Sequence, residues 1–221
     1  MTVVPLEQAL VIAGDHHRHG RLAEAQIIYG RVLEKYPDNT VALEGLGAIA
    51  LAQQNFAQAQ ELLKTALRKT GPQGPSLNNL GLAYRGLGRM QEAARCFQHS
   101  LQIEPNSSLT LMNLGQLLEQ QGQLEQALAL LARASALAGS NSGPHNALGN
   151  LLSRMDRFAE AERAFRQALS LEPNNSRLLF NLGNLYLRSE RIEEAVAAYR
   201  ASITADPDYF DPYHNLGHAY N

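Results

Sequence analysis

Apolar residues return along the chain at spacings of three and four, which is the pattern of amphipathic α-helices. One such stripe covers residues 77–84 and a second covers residues 90–101, and a glycine-containing turn is predicted at residues 86–88. Pro105 ends the second stripe, because proline cannot donate the next helical hydrogen bond. The pattern therefore predicts two helices joined by a tight turn.

The same pattern repeats with a period of 34 residues. An alanine marks the second helix of each copy, at Ala25, Ala59, Ala93, Ala127, Ala161 and Ala195. Twelve residues before each alanine stands a small residue, at Ala13, Gly47, Gly81, Gly115, Gly149 and Gly183. Four residues after it stands an aromatic residue or leucine, at Tyr29, Leu63, Phe97, Leu131, Phe165 and Tyr199. The period predicts six repeats and the first helix of a seventh in a single domain, over residues 6–39, 40–73, 74–107, 108–141, 142–175, 176–209 and 210–221.

The recurring glycine needs a compensating contact, because a glycine inside a helix costs about 1 kcal/mol relative to alanine. We expect a close crossing of the two helices, in which the glycine faces the alanine twelve residues later and larger side chains fill the surrounding space. One helix pair cannot bury its apolar face alone, so neighbouring pairs must stack. The predicted fold is all-α, a right-handed superhelical solenoid of antiparallel helix pairs.

The amino-acid composition and net charge argue against several classes of protein. The chain has 45% hydrophobic and 18% charged residues and no tryptophan, so its core must consist mainly of Leu, Ile and Ala. A net charge of −2 argues against a nucleic-acid partner, and the single cysteine excludes an internal disulfide. No apolar run approaches the ~18 residues typical of a membrane helix, and the first residues lack a basic signal-peptide region. We expect a soluble, cytoplasmic protein without a membrane partner.

The repeated residues resemble the tetratricopeptide repeat, whose 34-residue pattern contains Leu-Gly, Tyr, Ala, an aromatic residue, Ala and Pro. The third copy matches this pattern at Leu77, Leu80, Gly81, Tyr84, Ala93, Phe97, Ser100 and Pro105. The fifth matches at His145, Leu148, Gly149, Leu152, Ala161, Phe165, Ala168 and Pro173. The resemblance covers residues 6–221 and implies a protein-binding scaffold whose first helices line a concave groove.

Asparagines recur on those first helices, although asparagine is a mediocre helix former. They are Asn78, Asn79, Asn113, Asn146, Asn150, Asn181, Asn184 and Asn215. Each amide can donate and accept hydrogen bonds, as an extended peptide backbone does, so the series predicts a groove that binds protein or peptide. It resembles the asparagine ladder in the repeat region of O-linked N-acetylglucosamine transferases, at Asn79, Asn113, Asn181 and Asn215. The alternative is that the amides bond to neighbouring helices and stabilise the stack.

Three arginines, Arg85, Arg154 and Arg188, stand near the ends of the groove-lining helices. They could orient an acidic peptide, or they could form a solvated rim, since surface charge pairs contribute only about 0–1 kcal/mol. A carboxylate clamp, by which some repeats of this family bind a C-terminal carboxylate, is not expected. Its basic positions are occupied by Asn146, Asp211 and Asn215.

No catalytic, cofactor or metal site is predicted. His16 and His19, and likewise His214 and His218, have spacings that can place two ligands on one helix face. Neither pair has the further ligands that a metal site needs, so contact of His214 and His218 with a partner is the other hypothesis. Cys96 lacks an oriented base, and no phosphate-binding glycine motif occurs. We expect no enzyme activity within these residues.

Two functions fit these observations. The first is a scaffold that binds an extended peptide or partner segment in the asparagine groove. The second is the substrate-recognition region of a larger enzyme, such as a glycosyltransferase resembling the O-linked N-acetylglucosamine family. The last predicted helix exposes Tyr213, Leu216 and Tyr220, and Val3 and Val4 form an apolar edge at the other end. We therefore expect a fragment of a longer protein, or contact with another molecule such as a second copy.

Overall fold

The computed structural model describes residues 5–219, with the side chains of His218 and Ala219 outside that description. The predictions that concern Val3, Val4, Tyr220 and the His218 side chain lie outside the described residues. Within them the chain forms thirteen α-helices and no strand. The helices are α1 (Leu6–Arg18), α2 (Leu22–Lys35), α3 (Thr40–Ala52), α4 (Phe56–Thr70), α5 (Gly74–Gly86), α6 (Met90–Ile103), α7 (Ser108–Gln120), α8 (Leu124–Ala136), α9 (Gly143–Arg154), α10 (Phe158–Leu171), α11 (Ser176–Arg188), α12 (Ile192–Ala205) and α13 (Asp211–Ala219).

Consecutive helices form antiparallel pairs. Ser100, near the end of α6, donates its hydroxyl hydrogen to the carbonyl oxygen of Gly74, the first residue of α5, at 2.8 Å. Ser202 of α12 makes the equivalent bond to Ser176 of α11, at 2.7 Å. The start of each first helix therefore lies beside the end of its partner. The prediction of an all-α fold built from helix pairs is confirmed.

The helix ends follow the signals in the sequence. Pro75 and Pro144 occupy the first turns of α5 and α9. Proline is tolerated there because backbone N–H groups in the first turn have no acceptor within the helix. Asn39 caps α3 by accepting a hydrogen bond from the N–H of Ala42 at 2.9 Å. The predicted stop at Pro105 is confirmed, because α6 ends at Ile103.

The turn within each pair contains one residue in the left-handed region. These residues have φ between 57° and 77° and share one repeat position: Gly20, Gln54, Gly88, Gly122, Asp156 and Glu190. Glycine adopts this conformation without steric cost. The three residues with side chains, Gln54, Asp156 and Glu190, each carry a backbone strain of about 1–2 kcal/mol. The tight turn is therefore kept in every pair, whichever residue occupies it.

The recurring glycine lies directly against a large side chain of the partner helix. A methyl group on Gly81 would stand 2.5 Å from the Phe97 ring, and one on Gly183 would stand 2.6 Å from the Tyr199 ring. A methyl group on Gly115 would stand 2.8 Å from the Leu131 side chain. The nearest side chain belongs to the residue sixteen positions later, and at Gly115 the backbone oxygen of Ala127, twelve positions later, also lies 3.4 Å from the site of an added methyl group.

The described contacts divide the chain into two compact units, one ending at Pro105 and the other starting at Asn106. Each unit contains three complete helix pairs with its own buried core. In the first unit the largest fully buried side chains are those of Phe97, Ile49 and Leu63. In the second they include those of Tyr199 and Phe165. Among residues 5–219, no helix is both long and apolar enough to cross a membrane.

Replacing Gly183 with alanine tests the close packing of a pair. The added methyl group would overlap the fully buried Tyr199 ring, and overpacking of this kind costs about 1–3 kcal/mol. Subtracting about 1 kcal/mol of gained helix propensity, we expect a net loss of up to about 2 kcal/mol in the free energy of unfolding, measured by urea denaturation.

Gly217→Ala is the matched control for Gly183→Ala. Gly217 has the same repeat position in α13, but no heavy atom of the described residues, apart from its chain neighbours and its own helix backbone, lies within 4 Å of the site of the added methyl group. This variant should be as stable as the wild type or slightly more stable. Equal effects of the two substitutions would contradict the packing explanation.

Candidate functional site

Polar residues of three first helices in the second unit meet at one open cavity. The helices are α9, α11 and α13, and the cavity has a volume of about 450 Å³. Its lining consists of Asn150, Ser153, Arg154, Phe165, Asn181, Asn184, Leu187, Arg188 and Asn215. We call this surface the amide groove. It combines four carboxamides with an aromatic ring and a leucine, so it offers both hydrogen-bonding groups and apolar contact to a ligand.

Asn184 connects the helices beneath the amide groove. Its side-chain oxygen accepts one hydrogen bond from the Tyr199 hydroxyl and one from the Asn215 amide nitrogen, both at 2.8 Å. Burial raises the pKa of the Tyr199 phenol, although the hydrogen bond with Asn215 acts in the opposite direction. The phenol therefore stays protonated at neutral pH and donates to Asn184. These bonds tie α11 to α12 and α13, so this amide has a structural role.

The other groove amides keep part of their hydrogen-bonding capacity. Asn181 donates to the side-chain oxygen of Asn146 at 2.9 Å, which joins α11 to α9 and leaves its own oxygen unused. Asn150 is half-buried, and its amide makes no hydrogen bond with the described residues. No described side-chain polar atom is both buried and without a partner. The unused amide groups therefore face solvent, where a ligand can reach them.

The two arginines of the amide groove are engaged in ion pairs. Arg154 contacts Glu119 of α7 at 2.5 Å, and Arg188 contacts Asp156 at 2.9 Å. The arginine side chains are 55% and 43% exposed, so these pairs are screened by solvent and are weak. An acidic ligand would have to compete with carboxylates that are already present.

Five of the predicted site residues do not line the amide groove. Asn78, Asn79 and Arg85 belong to α5 in the first unit, where Asn78 donates to the Asn79 oxygen at 3.4 Å. Burial lowers the pKa of the Arg85 guanidinium. Asn113 of α7 is only 6% exposed. Asn146 is the partner of Asn181 and lies outside the cavity lining.

Sequence reasoning did not single out Ser153 and Phe165 as groove residues. Ser153 occupies the repeat position that holds Arg85 two repeats earlier, so an alignment of the repeats could have found it. Phe165 packs against Gly149 and also borders the amide groove. Its second role depends on the depth of the groove, which the sequence pattern does not encode.

The other chemically reactive residues lie apart from the amide groove. Arg21 donates from Nε to Nδ1 of His16 at 2.8 Å. Burial, with a smaller contribution from Glu92, raises the pKa of the Cys96 thiol to about 11, so the thiol stays protonated at neutral pH. Among the described residues, no group of three or more His, Cys, Asp or Glu side chains could hold a metal ion.

Comparison with known families identifies the repeats. Three models of the tetratricopeptide repeat match the chain, the first over residues 16–80, the second over 72–140 and 106–174, and the third over 146–210. Together they span residues 16–210. The chain belongs to the tetratricopeptide repeat family. No curated protein sequence matches this tetratricopeptide repeat protein significantly.

Solved structures share the fold of this tetratricopeptide repeat protein. A chain in the crystal structure of the APC/C hetero-tetramer Cut9–Hcn1 matches 98% of it with a TM-score of 0.88 and 18% identity, and the match spans 43% of that longer chain. Pseudomonas aeruginosa pilF matches 96% of it, with a TM-score of 0.76 and 18% identity over 97% of its own length. YrrB, a tetratricopeptide repeat protein described as having an unusual peptide-binding site, matches 86% of it, with a TM-score of 0.61 and 19% identity over 97% of its own length. At these identities the likeness is one of fold.

Alanine substitutions distinguish groove asparagines that stabilise the fold from those whose amides make no hydrogen bond within it. Asn184→Ala removes the acceptor of the buried Tyr199 hydroxyl, so we expect a loss of about 1–3 kcal/mol in the free energy of unfolding. Asn150→Ala breaks no hydrogen bond within the described structure and introduces a better helix former, so the melting temperature should hold or rise. Thermal unfolding followed by circular dichroism measures both.

The double variant Asn184→Ala/Tyr199→Phe removes both partners of that hydrogen bond. It should recover part of the stability lost in Asn184→Ala, because no buried hydroxyl is then left without an acceptor. If Asn184→Ala is as stable as the wild type, the structural role assigned to this amide is wrong.

Proposed function

We propose that this tetratricopeptide repeat protein is an interaction scaffold that binds an extended peptide or partner segment in the amide groove. The coarser statement, that the chain is a protein-interaction scaffold, follows from its family. The ligand-contacting residues in the proposal are Asn150, Asn181, Asn184 and Asn215. Arg154 and Arg188 border the bound segment.

The observation that supports this proposal most strongly is the unused hydrogen-bonding capacity of the groove. Asn150 offers a complete amide, Asn181 an oxygen and Asn184 a nitrogen, all beside one cavity. An extended peptide presents alternating N–H and C=O groups that match such donors and acceptors. Recognition of this kind contacts the peptide backbone, so the proposal implies tolerance of different peptide sequences.

The apolar part of the groove adds a second contribution to binding. Leu187 and the edge of Phe165 lie between the amides and can accept one ligand side chain. The cavity volume of about 450 Å³ falls in the range of small-ligand sites. The structurally similar YrrB is described as having a peptide-binding site, which supports peptide as the ligand class here.

A second proposal keeps the same groove but assigns it to the substrate-recognition region of a larger cytoplasmic enzyme. It rests on the repeat positions of Asn181 and Asn215, which line the groove and also match the asparagine ladder of O-linked N-acetylglucosamine transferases. The complete transcript distinguishes the two. A nucleotide-sugar-binding α/β domain encoded in the same frame favours the enzyme, whereas further repeats alone favour the scaffold.

Peptide binding is tested with an array of twelve-residue peptides of random sequence, followed by fluorescence anisotropy with the peptides that bind. We expect peptides of varied sequence to bind the wild type. The double variant Asn150→Ala/Asn181→Ala should raise Kd by about 5- to 100-fold, because each lost amide hydrogen bond contributes about 0.5–1.5 kcal/mol.

Gln167→Ala is the control for this experiment, since Gln167 is an exposed amide on α10 outside the groove. It should leave every Kd unchanged. The proposal is wrong if the array retains no peptide. It is also wrong if the double variant keeps its helicity and binds peptide as tightly as the wild type.

A further inference from the structure

A cluster of polar side chains covers the junction of α10, α11 and α12. Glu162 is 13% exposed and accepts hydrogen bonds from the Tyr186 hydroxyl at 2.8 Å and from Arg191 at 2.9 Å. Arg166 forms an ion pair with the same carboxylate at 2.6 Å. The Arg191 guanidinium lies 4.4 Å from the centroid of the Tyr186 ring. We call these four residues the tyrosine–arginine cluster.

The same arrangement occurs three repeats earlier, in the first unit. Arg89 lies 4.7 Å from the centroid of the Tyr84 ring and donates to the side-chain oxygen of Gln60 at 3.0 Å. Gln60, Tyr84 and Arg89 each precede Glu162, Tyr186 and Arg191 by 102 residues, which is three repeat periods. In both units, therefore, an arginine stacked on a tyrosine covers the junction of three consecutive helices.

One repeat before the tyrosine–arginine cluster, three of its four side chains are replaced by apolar ones, whereas Arg157 keeps an arginine at the repeat position of Arg191. Leu128 stands at the repeat position of Glu162, Ala132 at that of Arg166 and Leu152 at that of Tyr186. The result is an open cavity of about 380 Å³ at the junction of α8, α9 and α10. We call it the apolar pit. Its apolar lining, called the floor below, consists of Leu128, Ala129, Ala132, Leu148 and Leu152.

The rim of the apolar pit carries an unbalanced negative charge. Arg157 donates two hydrogen bonds to Glu160, at 2.7 and 2.8 Å, so these two charges neutralise each other. Glu125 also lines the pit and is exposed, and its carboxylate makes no hydrogen bond or ion pair with the described residues. The rim therefore favours a ligand that carries a positive charge next to the apolar group bound in the pit.

We propose that the apolar pit is a second docking site, which receives an aromatic side chain and an adjacent Arg or Lys from a partner protein. The tyrosine–arginine cluster shows that a ring covered by a guanidinium fits this junction in the neighbouring repeat. In the pit the chain does not supply that ring itself. The leucine floor contains no acceptor like Glu162, so it suits Phe better than Tyr.

The pit shares no lining residue with the amide groove. Its residues come from α8, α9 and α10, whereas the groove amides belong to α9, α11 and α13. Docking at the pit therefore does not depend on peptide binding in the groove. A partner could engage either surface alone.

Methyl NMR of the full chain tests this proposal with two capped tetrapeptides, Gly-Phe-Arg-Gly and Gly-Phe-Glu-Gly. The Phe-Arg peptide should shift the methyl signals of Leu128, Leu148 and Leu152 and bind about 3- to 10-fold more tightly than the Phe-Glu peptide at low salt. Salt should reduce that preference, because the Glu125 carboxylate is exposed and screened. Shifts confined to Leu187 would place the peptide in the amide groove and overturn the proposal.

Three variants sharpen the test. Ala132→Arg/Leu152→Tyr introduces the side chains of the next repeat and should abolish the methyl shifts caused by the peptide. Glu125→Lys changes an exposed residue, should stay folded, and should reverse the preference between the two peptides. Asn150→Ala, in the amide groove, should leave binding at the pit unchanged. Unchanged binding in the filled variant, or the same preference in Glu125→Lys, would overturn the proposal.

Discussion

The contact between a glycine of one helix and a large side chain of the next determines how five of the six complete helix pairs are built, whereas the first pair has Ala13 at the glycine position. At Gly149 and Gly183 the partner side chain is an aromatic ring that would meet any added methyl group at less than 3 Å. The ring can occupy that position only because the glycine of the first helix has no side chain. This close approach fixes the position of each second helix against its first helix, and the side chains of the first helix are then free to form the amide groove.

The amide groove shows how one asparagine can have a structural role and keep hydrogen-bonding capacity for the proposed ligand. An amide has a donor end and an acceptor end, so Asn184 can hold Tyr199 and Asn215 with its oxygen and still offer its nitrogen to a ligand. The side-chain amide of Asn150, by contrast, makes no hydrogen bond with the described residues. A groove built in this way is held rigid by one set of bonds while a second set remains available. This preorganisation reduces the entropy lost on binding.

The repeat period predicted the helices, their ends and the tetratricopeptide family, because these features depend on local patterns that recur in every copy. Six of the candidate groove residues were also identified from their positions on first helices, among them Asn150 and Arg188. The period did not reveal that Gly183 faces Tyr199, or that Asn184 bonds to the same residue, since both depend on side-chain geometry between helices. The apolar pit was missed for a different reason. It arises where Leu152 replaces the tyrosine found at the same repeat position in Tyr84 and Tyr186. A search for recurring residues does not detect a position at which the recurring residue is absent.

A double-mutant cycle on Gly149 and Phe165 tests the central claim most directly. Phe165→Val removes the ring atoms that lie 2.8–3.0 Å from the position of a methyl group on Gly149. Measured by urea unfolding, Gly149→Ala should cost up to about 2 kcal/mol in the wild type and should be neutral or stabilising in the Phe165→Val background. The same cost in both backgrounds would contradict the account, because the ring would then have no part in the requirement for glycine.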